Sequence, residues 1–144
     1  MPGISALAPI LAPSHWAHRY LGLPYILGAG ECAHRAALVW RQVFGWEVEV
    51  PAAHGNLRIA QRLIRAALAT GEWVPTDAPQ DGDAVVMWKG DLLCHVGVWV
   101  ASGHVLHCTR AEGMVLTPVE ELAGQGFRIA RTFRRQKAQQ DLAA

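Results

Sequence analysis

Apolar positions recur at helical spacing in two stretches in the first half of the chain, and at a spacing of two over most of the last third. After Cys32, the positions Ala36, Trp40, Val43 and Phe44 fall on one side of a helix that Gly45 ends. Leu57, Ala60, Leu63, Ile64, Ala67 and Leu68 form a second stripe, with Asn56 as N-cap, Gly71 closing it, and Arg58, Arg62 and Arg65 along a solvated opposite side. A shorter helix is expected through Trp16, Ala17, Tyr20 and Leu21, capped by Ser14 and ended by Gly22 and Pro24. Trp46, Val48 and Val50 alternate with glutamates before Pro51, and 76–83, rich in Pro, Asp and Gly, reads as loop. Beyond it, 84–88, 94–100, 104–109, 114–117 and 127–133 read as strands. Between the last two, Thr117, Pro118 and Glu120 supply the N-cap, first-turn proline and capping-box glutamate of a short helix ending near Gly124. Helices first and strands afterwards describe an α+β fold, with the N-terminal helices packed on a meandering antiparallel β-sheet. The expected layout is an N-terminal arm over 1–13, one domain over 14–134 and a frayed polar tail over 135–144.

Composition narrows the function classes. With 51% apolar residues, 144 residues are enough for one core that does not depend on disulfides. The net charge is +1, and Lys and Arg are dispersed until the C-terminus, so nucleic acid is not an expected partner. Three cysteines without regular spacing argue against a disulfide framework and for synthesis in a reducing compartment. The first dozen residues are apolar but contain Pro2 and Pro9, lack a basic segment and are too few to span a bilayer, so neither a signal peptide nor a membrane anchor is expected. His15 and His18, three apart, are read as a solvated helix surface rather than metal ligands.

Candidate chemistry begins at Cys32. Gly28 and Gly30 end an extended apolar segment, which puts this cysteine in the first turn of a helix, where unpaired N–H groups and the positive end of the macrodipole favour thiolate. Its other reading is a small buried core residue. His95 and His107 decide between them. A three-residue connection, Ala101-Ser102-Gly103 with a left-handed glycine, sets Val100 opposite His104, Gly97 opposite His107 and His95 opposite Thr109. Both histidines then share a face, with Gly97 leaving space between them. A two-residue Ser102-Gly103 turn would put them on opposite faces. In the first register Cys94 and Cys108 lie diagonally on the other face and read as core residues. Cys32, His34, His95 and His107 are zinc-ligand types, but they lack the close ligand pair of zinc sites, so no metal or cofactor is expected. A cysteine at a helix start, a strand histidine as base and a second polar group orienting that base form an activated thiol nucleophile.

Several segments together resemble a known family. They are Tyr20-Leu21-Gly22-Leu23-Pro24-Tyr25 with Gly28 and Gly30, the cysteine-led helix ending in Val43-Phe44-Gly45, the Gly82-Asp83 strand entry, His95-Val96-Gly97-Val98 and Val105-Leu106-His107. This ordered set resembles the NlpC-type cysteine peptidases of bacterial cell walls, in particular their phage-tail and gene-transfer-agent branch. The resemblance implies a papain-like α+β core with Cys32 as nucleophile, His95 as base and His107 as the orienting third member. It gives Tyr25 a role in binding substrate or the oxyanion; its other reading is a half-buried core tyrosine. It also implies peptidoglycan stem peptides as substrate, cut at a γ-D-glutamyl bond to diaminopimelate or lysine. The implied partners are proteins of a phage tail or tail-like particle, the chain being made in the bacterial cytoplasm and acting at the wall. Where the family usually has Asp before the cysteine and a small or aromatic residue then Gly after it, this chain has Glu31-Cys32-Ala33-His34. Two positions on, His34 points roughly opposite Cys32 and is read as a rim or packing residue. The altered flanks keep a second function open, a tail-assembly or tail-tip protein with the same fold and little catalysis.

Overall fold

The computed structural model describes residue 11 and residues 15–136; Ser14, all of the expected arm except Leu11, and the tail beyond 136 lie outside the described residues. A short 3₁₀ helix, Trp16–Tyr20, is capped by the His15 ring, whose Nδ1 accepts from Ala17 N at 3.1 Å. His18 is partly buried rather than solvated. Helix α1, Cys32–Phe44, ends at Gly45 with φ +73°, the left-handed conformation glycine tolerates best. Helix α2, Leu57–Ala69, starts at Asn56, whose side chain accepts from Arg58 N and Ile59 N. Arg58, Arg62 and Arg65 are exposed, as the helical pattern requires.

Six strands form one antiparallel sheet: β1 Trp73–Thr76, β2 Ala84–Lys89, β3 Leu92–Val100, β4 His104–Thr109, β5 Gly113–Pro118 and β6 Arg128–Arg135. Their order is β1-β6-β2-β3-β4-β5. The meander therefore covers β2 to β5 only; β6 returns to pair with β2 on its other side. Strand β1 was not expected. Its Pro75 lies opposite Phe133 on the outermost strand, the place where a residue without an N–H breaks fewest ladder bonds. Conversely, the alternation over 46–50 produces no strand. Trp46, Val48 and Val50 turn inward against the core and the glutamates outward, so the period reports burial without a pairing partner. Strand β6 runs through Arg135, one residue into the expected tail, because Arg135 pairs with Trp73 and its Nε donates to Glu72 Oε1.

Glycine 82 and Asp83 join the helical and sheet layers. Trp40 Nε1 donates to Gly82 O at 2.8 Å, and buried Asp83 accepts from Arg134 Nε and Nη2 on β6 and from Gln80 N. Among the described residues no helix is long and apolar enough to cross a membrane.

The β3–β4 hairpin adopts the three-residue closure, with Gly103 at φ +78° and pairs Val100↔His104, Trp99↔Val105 and Val98↔Leu106. Gly97 then lies where the strands approach most closely: a Cβ there would stand 2.7 Å from Val105 Cγ1, 2.9 Å from His107 Cβ and 3.0 Å from Leu106 O. Gly97→Ala should therefore cost about 1–3 kcal/mol, measured as a lowered urea midpoint at unchanged m-value. A midpoint equal to wild type would show that the strands do not need this close approach.

Candidate active site

Glu31 organises the entry to α1. It is only 6% exposed, and its carboxylate accepts from Ala53 N (Oε1, 3.2 Å) and, at Oε2, from Gly28 N (3.2 Å), Gly55 N (2.6 Å) and the Tyr25 hydroxyl (3.3 Å). Burial alone would raise the pKa of this carboxyl; the N–H groups of Gly28, Gly55 and Ala53, joined by Tyr25, outweigh it and hold the group below its ordinary value. Glutamate in place of aspartate is thus explained: its longer side chain reaches past the helix start to the 53–55 loop. His34 serves the same turn, its Nδ1 accepting from Glu31 N at 3.3 Å. It is a helix-capping residue rather than a base.

Cys32 follows directly, half-buried, at the first position of α1. The first backbone bond of the helix is Arg35 N to Glu31 O, so the N–H groups of Cys32, Ala33 and His34 have no backbone acceptor within it. The expected depression of the thiol pKa is not found. Burial pushes it up to about 11, although the N–H groups of Val96 and Ala33 pull it down. Partial solvent contact does not offset the low-polarity surroundings: on one side Cys32 borders an apolar cavity of about 130 Å³, walled by Leu63, Ile64 and Leu68 of α2 and by Trp73 and Val96 of the sheet. On its other side lies a smaller cleft, about 60 Å³, shared with His95, Tyr25, Lys89, Arg110 and Phe127. The smaller cleft is the one the thiol shares with the His95 ring; the imidazole beside the larger cavity is that of His34, whose Nδ1 is taken up by Glu31 N.

The two histidines come together as the hairpin register requires. His95 Nε2 and His107 Nδ1 are 2.8 Å apart, and both residues are buried. His95 stacks on Phe127 with ring centroids 4.0 Å apart and planes at 19°. On its far side, His107 Nε2 is 3.1 Å from both Thr117 Oγ1 and Gln125 Oε1. Burial, then the neighbouring His107 and Lys89, hold His95 well below the ordinary imidazole value; burial brings His107 to about 4 despite Gln125. Both rings therefore rest neutral at pH 7.

Tyr25 lines the cleft half-buried, beneath the Arg110 guanidinium at 5.6 Å from its ring centre. Burial and the Glu31 charge raise its pKa, and its hydroxyl hydrogen is directed to Glu31. An oxyanion role requires that bond to be exchanged. Cys94 and Cys108 are buried and free, as expected of core residues. The zinc-type set of Cys32, His34, His95 and His107 does not converge, and among the described residues no group of three or more His, Cys, Asp or Glu is placed to hold a metal. Sequence reasoning missed Phe127 and Gln125, and it placed Thr117 as a helix cap. The residue before the 3₁₀ helix Val119–Gln125 is Pro118, while the Thr117 hydroxyl is engaged with His107 and Gln125.

These burial effects set an acid limit on stability. Between pH 6.5 and about 4 the unfolded chain binds protons that the folded imidazoles refuse, so stability falls as pH drops through that window. Glu31 acts lower: its contribution is complete above 4.5 and is lost as pH falls through its depressed folded value. Urea midpoints should decline in these two stages, and Glu31→Gln, which leaves N–H donors facing an amide, should cost about 2 kcal/mol or more at pH 7. A midpoint unchanged from pH 7 to 4 would contradict neutral buried imidazoles.

Among solved structures, the chain is similar to the crystal structure of the NlpC/p60 domain of peptidoglycan hydrolase SagA, with a TM-score of 0.55 and 17% identity, covering 82% of this chain and 92% of that one. No protein-family model and no curated protein matches the sequence. At this identity the likeness concerns the fold, and the chain has an α+β fold of the NlpC/p60, papain-like type.

Proposed function

We propose that this protein is a thiol endopeptidase of the phage-tail type that hydrolyses an amide of peptidoglycan stem peptides, at the bond from γ-D-glutamate to diaminopimelate or lysine. The observation that carries this reading is that Cys32, at a helix start, and His95, hydrogen-bonded to His107, line one cleft. The fold likeness to a domain of a peptidoglycan hydrolase supports the substrate class. Lys89 and Arg110 in the cleft lining suit the carboxylates along a stem peptide. On this reading the chain is made in the cytoplasm, joins the proteins of a tail or tail-like particle and meets the wall there.

The chemistry follows from the neutral resting pair. As Cys32 Sγ attacks the carbonyl carbon, its proton passes to His95 Nδ1, and the oxyanion is met by the Cys32 N–H at the start of α1. Collapse of the tetrahedral intermediate breaks the C–N bond while His95 gives that proton to the departing amine. Water then loses a proton to His95 and attacks the thioester, and the proton returns to sulfur as the carboxylic acid leaves. His107 holds the His95 ring in line throughout.

One observation favours a second reading. A thiol pushed up to about 11 suits a tail-assembly or tail-tip protein that keeps the fold with little hydrolysis. Mass spectrometry of stem peptides from several wall types separates the two. The peptidase reading predicts cleavage by wild type and a loss of about a thousandfold or more in Cys32→Ala and in His95→Ala. Intact peptides with folded wild-type protein would support the assembly role.

A further inference from the structure

We propose that Gln125 and Thr117 are positioning residues that fix the tautomer of His107 and, through it, place the hydrogen of His95 on Nε2, leaving Nδ1 bare on the ring that shares the cleft with Cys32. The proposal rests on the peptidase reading only for what the bare nitrogen is for; the hydrogen-bond chain stands on its own geometry.

His107 is 0% exposed, so its ring nitrogens depend on protein partners. Nε2 faces two oxygens, Thr117 Oγ1 and Gln125 Oε1, each at 3.1 Å. The Thr117 hydroxyl donates its hydrogen to Gln125 Oε1, also at 3.1 Å, so it offers the ring only a lone pair. Two acceptors facing one nitrogen require that nitrogen to carry the hydrogen. A neutral imidazole has one, so His107 Nδ1 is bare and accepts from His95 Nε2 at 2.8 Å. Stacking on Phe127 holds the His95 plane, so the ring cannot easily turn its other nitrogen toward His107. The alternative chain runs the other way. If the Gln125 amide were reversed, Thr117 would donate to the ring, His107 would carry its hydrogen on Nδ1, and His95 would be left with Nδ1–H and no lone pair for the thiol proton. The amide oxygen of a residue outside the expected triad thus sets which nitrogen of the base is available.

Two-bond proton–nitrogen correlation spectra of uniformly ¹⁵N-labelled wild-type protein at neutral pH read these tautomers directly and need no substrate. The expected result is a protonated Nε2 and a bare Nδ1 on His107. Gln125→Leu combined with Thr117→Val should mix the His107 tautomers and slow alkylation of Cys32 by iodoacetamide on the order of tenfold. Gln125→Glu, which still presents only acceptors, should keep both properties. A wild-type His107 ring protonated at Nδ1 would overturn the proposal, whatever the variants do. Failure to cleave peptidoglycan beside the expected spectrum would sink the peptidase reading and leave the hydrogen-bond chain intact.

Discussion

The half of the molecule around the candidate site depends on one buried carboxylate. Glu31 gathers N–H groups from two separate loops, Gly28 on one side and Ala53 and Gly55 on the other, at the point where α1 begins. A charge so little exposed is tolerable only because its lone pairs are satisfied, and satisfying them fixes both loops against the first turn of the helix. Tyr25 and the 53–55 loop line the cleft through this connection, and Cys32 is the next residue in the chain. Arg110 reinforces it by donating to Gly55 O while covering Tyr25.

The opposite wall is built on a different device. Gly97 lets β4 come close enough to β3 for His107 to meet His95, and the 3₁₀ helix after β5 brings Gln125 to the far side of that pair. One wall is therefore held by a charge and the other by a directed chain of neutral hydrogen bonds. The second can be neutral because burial depresses both imidazoles, and the same burial raises the thiol. The pair rests as thiol and imidazole, so on the proposed peptidase reading its nucleophile would form during proton transfer rather than before it.

Much of this was legible in the chain because local rules and tertiary needs agree. Asn56 and Gly45 mark helix ends by their own backbone chemistry, and the alternation around His95 and His107 with Gly103 in the turn sets a register that puts both rings on one face. The rest depends on contacts distant in sequence. The weight of burial on Cys32 comes from α2 and β3, which no reading of its flanks includes. Thr117 carries every mark of a helix cap, and only the position of His107 diverts its hydroxyl. Glu31 looks like a poor aspartate until the 53–55 loop is beside it. Gln125 gave no local signal, and Pro75 reads as loop unless its strand is known to lie at the sheet edge.

If Cys32 and His95 work as one pair, the reactivity of the thiol must depend on the imidazole. Iodoacetamide labelling of the native protein, followed cysteine by cysteine by peptide mass spectrometry, would be compared between wild type and His95→Ala at neutral pH. Cys32 should label ahead of the buried Cys94 and Cys108 and lose most of that lead when the imidazole is removed. Equal, slow labelling of all three cysteines, or a Cys32 rate indifferent to His95, would contradict the pairing.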